Sequence, residues 1–341
     1  MNRLRVGLIG AGATAAAHAR ALKSLIYVDF VGVADPDREK VLRLTAIYGG
    51  EACQDAADLI RASRPDAVIV ATPLKSRVAS VEVAADSGCA VFVEAPIAAT
   101  LEDADSMTAS CQAAAVKFMV GHVLRFDACF ARARELLASG FLGEPVYLYT
   151  RQLLPRDGRT NAMSAEEQFL RLAVDHFDVI RWFHRGRELK RIESTPVFSG
   201  VGDDAALPGL TWSYLEFVDG SLGVVQLGWN LVPSSITRDE IQYPAAGDLK
   251  LHIVGTQGVL DLDLAQMSLR LVDDDGWHFP DTRFWPNSPS QPLGALRNAL
   301  EHFFECIYRD RAPLAGGAEA TEALRLALQA RQHLVQPTAL S

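Results

Sequence analysis

Val6-Gly7-Leu8-Ile9-Gly10-Ala11-Gly12-Ala13-Thr14-Ala15 decides how this chain begins to fold. An apolar run ends on Gly10, a second glycine follows at Gly12, and small residues continue into an Ala-rich stretch. Gly10 permits a tight turn, Gly12 lets backbone approach a ligand, and Ala15 is small enough for close helix–strand packing. The helix that follows offers unsatisfied N–H groups and a partial positive charge at its start. Strand, turn and helix thus form a pyrophosphate cradle from Gly10, Gly12, Ala13, Thr14 and Ala15. Asp35 closes the next apolar run, twenty residues beyond Ala15, where a carboxylate can bond a ribose 2′-hydroxyl. The pattern reads as a dinucleotide site of the NAD type. Asp35 repels a 2′-phosphate and so favours NAD over NADP, while Arg38 offers that phosphate a cation. The competing reading makes Asp35 a cap for the helix starting near Pro36.

Working outward, strand-like runs at 5–9, 28–34, 67–71, 90–94 and 117–121 alternate with helical stretches at 15–24, 38–48, 55–63, 76–87 and 101–114. Buried strands alternating with helices imply βαβ units and a doubly wound parallel sheet. Beyond residue 123 the pattern changes. Helical stretches at 125–139 and 165–183, long strands with turns at Asp219-Gly220 and Gln257-Gly258, and a helical return over 294–334 indicate an α+β domain with a large, mostly antiparallel sheet. The reading places a dinucleotide-binding domain at 1–123 and a substrate-binding, oligomerising domain at 124–341. Segments 153–164 and 276–292, rich in Pro, Arg, Asp and Ser, read as loops.

The chain has 341 residues, 49% of them hydrophobic, and a formal charge of −9 from 33 basic and 42 acidic residues. This balance argues against nucleic acid or an anionic membrane as partner. Five widely spaced cysteines without a C-x-x-C pattern read as reduced thiols of a cytoplasmic protein, with neither a zinc site nor a disulfide framework. No run is long and apolar enough to span a bilayer, and Met1–Arg5 leads straight into a strand with no signal-peptide core.

Further motifs follow in order. The first loop extends to His18. Then come Ala71-Thr72-Pro73, Glu94-Ala95-Pro96, Gly121-His122-Val123-Leu124-Arg125-Phe126 and His252-Ile253-Val254-Gly255-Thr256-Gln257-Gly258. In this order and spacing the chain resembles the Gfo/Idh/MocA oxidoreductase family over nearly its whole length, including the helix and Pro313 after the sheet. The resemblance implies a Rossmann domain, a C-terminal domain with an open sheet, and NAD(P), with Thr72, Pro73, Glu94 and Ala95 beside the cofactor. It also implies a polyol, sugar or nucleotide-sugar substrate, and a homodimer or homotetramer formed through the C-terminal sheet.

Several positions depart from that pattern. The resemblance implies Glu-Lys-Pro after the fifth strand, the lysine contacting both the reacting hydroxyl and the nicotinamide ribose; here the residue is Ala95. Thr-Pro-Asn-x-x-His becomes Thr72-Pro73-Leu74-Lys75-Ser76-Arg77; Lys75 and Arg77 lie near the expected nicotinamide end, where either could supply a positive charge, and the expectation for each is the exposed helix face. Aligned through Asp178 and Arg181-Trp182, Asp-x-x-x-His becomes Arg171-Leu172-Ala173-Val174-Asp175, followed by His176. Alcohol oxidation needs a group to take the hydroxyl proton. The candidates are His176, Asp175 and His122. Asp175 matches the family position; an imidazole has the better intrinsic pKa. His176 also reads as a plain core or surface histidine. Arg171 and Arg125 are candidate substrate contacts, or else solvated charges. At i,i+4 spacing Arg171 and Asp175 can pair, which would keep the carboxylate ionised. Two classes of function stand side by side: an oxidoreductase with a substituted acid–base set, and an NAD-binding member without ordinary turnover, acting as a sensor, partner subunit or enzyme that retains its cofactor with no net redox change.

Overall fold

The computed structural model describes residues 3–154, 165–184, 186–197, 209–228, 236–237, 248–264, 271–273, 276–278 and 294–335. The chain divides into two compact units, Met1–Phe126 with Trp285–Thr321, and Asp127–Phe284 with Glu322–Ser341.

The first unit is built on a six-stranded sheet in the order β3-β2-β1-β4-β5-β6. Its strands are β1 (Leu4–Ile9), β2 (Val28–Ala34), β3 (Glu51–Cys53), β4 (Ala67–Val70), β5 (Ala90–Glu94) and β6 (Phe118–Gly121). Every pair is parallel. The intervening helices are α1 (Ala13–Lys23), α2 (Arg38–Tyr48), α3 (Ala56–Ser63), α4 (Leu74–Asp86) and α5 (Leu101–Ala113). Val6, Leu8 and all of Ala67–Val70 are fully buried, so these strands read as continuous apolar runs rather than alternating ones. The three-residue β3 has no such run: Glu51 and Ala52 are exposed, which left it invisible in the sequence.

Two boundaries differ from the sequence reading. The stretch at 125–139 opens as a 3₁₀ turn, Val123–Phe126, and α6 (Ala128–Ala138) begins afresh. Asp127 caps it, accepting from the N–H groups of Cys129 and Phe130 at 3.0 and 3.2 Å. A single cut at 123/124 also misses a return of the chain. Within the first unit, α8 (Ala295–Tyr308) buries Phe303 and Phe304, and Phe303 meets Phe92 of β5 edge-on at 5.7 Å.

The second unit carries a sheet in the order β13-β12-β7-β10-β9-β8. Its strands are β7 (Pro145–Leu153), β8 (Leu189–Val197), β9 (Leu210–Phe217), β10 (Leu222–Gly228), β12 (Asp248–Gly255) and β13 (Val259–Asp263). Only β7 and β10 run parallel; the other pairs are antiparallel. Helix α7 (Ala165–Phe183) packs on one face. Gly223 makes room for it, since a Cβ there would lie 2.6 Å from Ile180 Cγ2. Period-two alternation puts Leu148, Thr150 and Gln152 of β7 inside and leaves Tyr147 and Tyr149 on the opposite face. There Tyr149 stacks on Trp212, and Trp212 on Tyr214. A small sheet joins β11 (Ile236–Thr237), β14 (Leu271–Asp273) and β15 (Gly276–His278). Residues 276–278, read as loop from composition, are therefore a strand, paired antiparallel to β14. Residues 155–164 and 279–292 of the expected loops lie outside the described residues. Helix α9 (Gly317–Val335) completes the element order.

Candidate functional site

In the first unit the loop from Gly10 into α1 has two glycines with different duties. Gly10 sits at φ +106°, and a Cβ on it would lie 2.6 Å from the carbonyl oxygen of Ala71. The protein's own backbone demands glycine there. Gly12, the N-cap of α1, has ordinary φ (−77°), and a Cβ on it would meet nothing within 4 Å. Among the described residues nothing requires glycine at 12; the space in front of it is open, as a ligand pressed against the backbone requires. No side chain caps α1 and no acidic residue occupies its first turn. Its N–H groups therefore remain for an anion. Ala13 is exposed, Thr14 half-buried and Ala15 fully buried against the sheet.

Asp35, at the end of β2, accepts from Ala11 N and Asp37 N, both at 2.8 Å. It thereby fixes the direction of the glycine loop. A carboxylate has about four acceptor positions, so two bonds leave room for ribose hydroxyls. The helix-cap reading of Asp35 is corrected: Asp37 caps α2, accepting from Lys40 N. Arg38 is exposed on the first turn of α2. The residues present fit a dinucleotide. Thr72 adds a further sign, for its hydroxyl oxygen is buried and finds no hydrogen-bond partner among the described residues.

Thr72-Pro73 and Glu94-Ala95-Pro96 leave the carboxyl ends of β4 and β5. Arg77 ties them together. It is buried, contrary to the expected exposed placement, whereas Lys75 is exposed as expected. The Arg77 guanidinium donates to the carbonyls of Glu94 at 2.7 Å, Thr72 at 2.9 Å, and Pro96. His18, fully buried on α1, bonds through Nε2 to the Glu94 carboxylate. Glu94 and Gly121 are register partners on β5 and β6. Ala95 and His122 therefore leave adjacent strand ends side by side. His122 is buried, and Arg125 is buried too, with one guanidinium nitrogen donating to the Leu314 carbonyl. The reading of Arg125 as a solvated charge does not hold.

In the second unit, α7 carries Arg171, half-buried, with Asp175 and His176 buried. His176 is a core residue. Its Nδ1 lies 2.8 Å from Thr150 Oγ1 and its Nε2 2.8 Å from Gln152 Oε1. Both ring nitrogens are engaged by inward side chains of β7. Burial pushes the imidazole pKa down to about 3. A ring so held stays neutral and has no free nitrogen for a substrate proton, so its expected role as base is corrected.

Comparison with known proteins agrees with this geometry. The family model described as "Oxidoreductase family, NAD-binding Rossmann fold" (GFO_IDH_MocA) matches residues 4–122. The scyllo-inositol 2-dehydrogenase (NAD(+)) of Bacillus subtilis (strain 168) is 26% identical over 96% of this chain and 93% of its own length. The rhizopine catabolism protein MocA of Rhizobium meliloti is 28% identical over 98% and 96%. Residues 4–122 thus match the NAD-binding Rossmann domain of the Gfo/Idh/MocA oxidoreductase family, and the chain is similar to the two relatives over nearly its whole length. A solved scyllo-inositol dehydrogenase from Lactobacillus casei, with bound NAD(H) and scyllo-inositol, has the same fold: TM-score 0.80, 18% identity, covering 98% of this chain and 97% of that one.

Set beside that family's pattern, the chain retains Gly10, Gly12 and Asp35 and differs at Ala95, Arg77, Arg171 and Asp175. His18 was read only as the end of the loop motif and Arg77 as a charge near the nicotinamide end or on the exposed helix face, yet a signal for their burial was present. His18 lies three residues after Ala15 and four before Leu22, on the buried face of α1. Arg77 lies four before Val81 and seven before Ala84, on the buried face of α4. A polar or basic side chain at an apolar-phase position is a buried one that needs backbone or acidic partners. Among the described residues, no cluster of His, Cys, Asp and Glu could hold a metal, and no helix is long and apolar enough to cross a membrane.

Proposed function

We propose that this oxidoreductase oxidises a secondary hydroxyl of a small polyol or sugar with NAD, and that His122 takes the hydroxyl proton. Bound NAD supplies the hydride acceptor. The observation that carries the reading is Gly12, whose ordinary φ and open front leave room for a pyrophosphate against the backbone. The full-length resemblance to an inositol dehydrogenase supports the substrate class. His122 leaves the strand end next to Ala95, one strand away from the position where the family pattern has its lysine. Asp35 favours NAD over NADP. Thr72, Pro73, Glu94 and Ala95 line the cofactor; Arg125 and Arg171 are substrate contacts; Asp175 orients or closes the pocket, paired with Arg171.

A second copy of the chain covers the outer sheet face that bears Tyr147, Tyr149, Trp212 and Tyr214, giving a dimer or tetramer. All five cysteines are free thiols, and burial raises the pKa of Cys89 to about 11 and of Cys111 to about 12. That supports a reducing, cytoplasmic setting. The second reading, an NAD binder without ordinary turnover, draws on Ala95 and on the neutral, enclosed His176. Recording absorbance of reduced cofactor with NAD and a panel of inositols, pentoses and hexoses decides between them. Reduction with any member supports the enzyme. Tight NAD binding with no reduction across the panel favours the second reading.

A further inference from the structure

The strand order 3-2-1-4-5-6 reverses between β1 and β4. A dinucleotide in such a sheet lies across this point, outside the carboxyl ends of the strands. Asp35 at the end of β2 takes the adenosine side, so the nicotinamide half falls over the loops after β4 and β5. Both loops are held from behind by one guanidinium, and the second is also tied through the Glu94 carboxylate to His18. Arg77 reaches from α4 to three carbonyls, one on the first loop and two on the second. Guanidinium is suited to this because its N–H donors lie in a rigid planar fork. The carbonyls it satisfies would otherwise be unpaired at a strand end. Glu94 is the junction. Its carbonyl binds Arg77, and its carboxylate binds His18 on the phosphate-cradling helix α1.

We propose that Arg77 is a positioning residue for the nicotinamide half of the cofactor, setting the separation of the two loops while His18 ties the second of them to the phosphate helix. Arg77 touches neither cofactor nor substrate; it acts through the main chain of Thr72, Glu94 and Pro96. The proposal rests on the NAD-binding reading, and its test separates the two. ADP carries the adenosine and phosphates but not the nicotinamide riboside. Calorimetric titration with ADP and with NAD⁺ therefore reports on the two halves.

For Arg77→Met the expected result is NAD⁺ binding about tenfold weaker, from loss of charged hydrogen bonds, with ADP binding changed by less than about twofold. Arg77→Lys keeps a donor but not the fork, and should fall between wild type and Arg77→Met for NAD⁺. Equal losses for ADP and NAD⁺ in both variants would mean that Arg77 merely stabilises the domain, and the proposal fails. Unchanged NAD⁺ affinity in either folded variant also overturns it. If circular dichroism shows Arg77→Met unfolded, Arg77→Lys carries the comparison with the same required difference. Wild-type protein that binds ADP but not NAD⁺, or neither, removes the NAD reading and the proposal with it.

Discussion

His176 on α7 and Gln152 on β7 sit 2.8 Å apart, Nε2 to Oε1, inside the sheet-facing core of the second unit. Thr150, two residues earlier on the same strand face, closes the other ring nitrogen at the same distance. The pair fixes α7 on the sheet. His176→Ala leaves Gln152 and Thr150 without their partner and opens a cavity. The expected cost is about 2–4 kcal/mol of unfolding free energy, read as a lower urea midpoint. NAD affinity should be unchanged. A variant of wild-type stability would show that this pair does not hold the helix.

Acid should weaken the protein through the same residue. The folded pKa of His176, about 3, lies below the free-histidine value of 6.5. His184 is likewise pushed down by burial, to about 4. Between these values the unfolded chain binds protons that the folded chain excludes. Stability is fully present above 6.5 and declines as pH falls, by about 1.4 kcal/mol per pH unit for each histidine. Urea unfolding at pH 7, 6, 5 and 4 measures the slope. His176→Gln should flatten it by one proton's share, and an unchanged slope would exclude His176 as its source.

The two loop glycines should fail differently. Gly10→Ala forces a side chain at φ +106° against the Ala71 carbonyl. It should lower stability by at least about 1–3 kcal/mol. Gly12→Leu has open space and ordinary φ. It should fold with wild-type thermal midpoint and lose measurable NAD binding. Retained NAD affinity in Gly12→Leu would contradict the cradle.

Asp35 should set cofactor choice. Calorimetry is expected to give tighter binding of NAD⁺ than NADP⁺, by about tenfold or more. Replacing Asp35 with Ser should narrow the gap, since Arg38 on α2 then meets the 2′-phosphate without repulsion from the Asp35 carboxylate. Equal affinities in the wild type would show that Arg38 outweighs Asp35.

The proton acceptor is open to three substitutions, once a substrate gives turnover. His122→Ala should slow oxidation by about a hundredfold or more while keeping NAD affinity. Asp175→Asn should have a smaller effect, and Ala95→Lys should not raise the rate. If His122→Ala keeps full activity and Asp175→Asn loses it, the carboxylate is the base.

The sequence by itself determined the parallel first sheet, because strands buried on both faces are written as unbroken apolar runs. It also determined the phosphate loop, because Gly10, Gly12 and Ala15 recur at fixed spacing between an apolar run and an Ala-rich helix, a pattern contained in one short segment. What only the tertiary structure decided were the partners of charged and polar groups. His176 reads equally well as a core or a functional residue, and Arg77 reads first as a solvated charge on the exposed helix face. Arg77 is enclosed because the carbonyls of Thr72, Glu94 and Pro96, up to nineteen residues away, converge on it. His176 is neutral because β7, some 25 residues earlier, supplies both of its partners. The return of α8 to the first unit is of the same kind, resting on the meeting of Phe303 with Phe92 across more than two hundred residues. Burial and hydrogen-bond partnership depend on distances between segments that no local pattern encodes, and they set the charge state on which the chemistry depends.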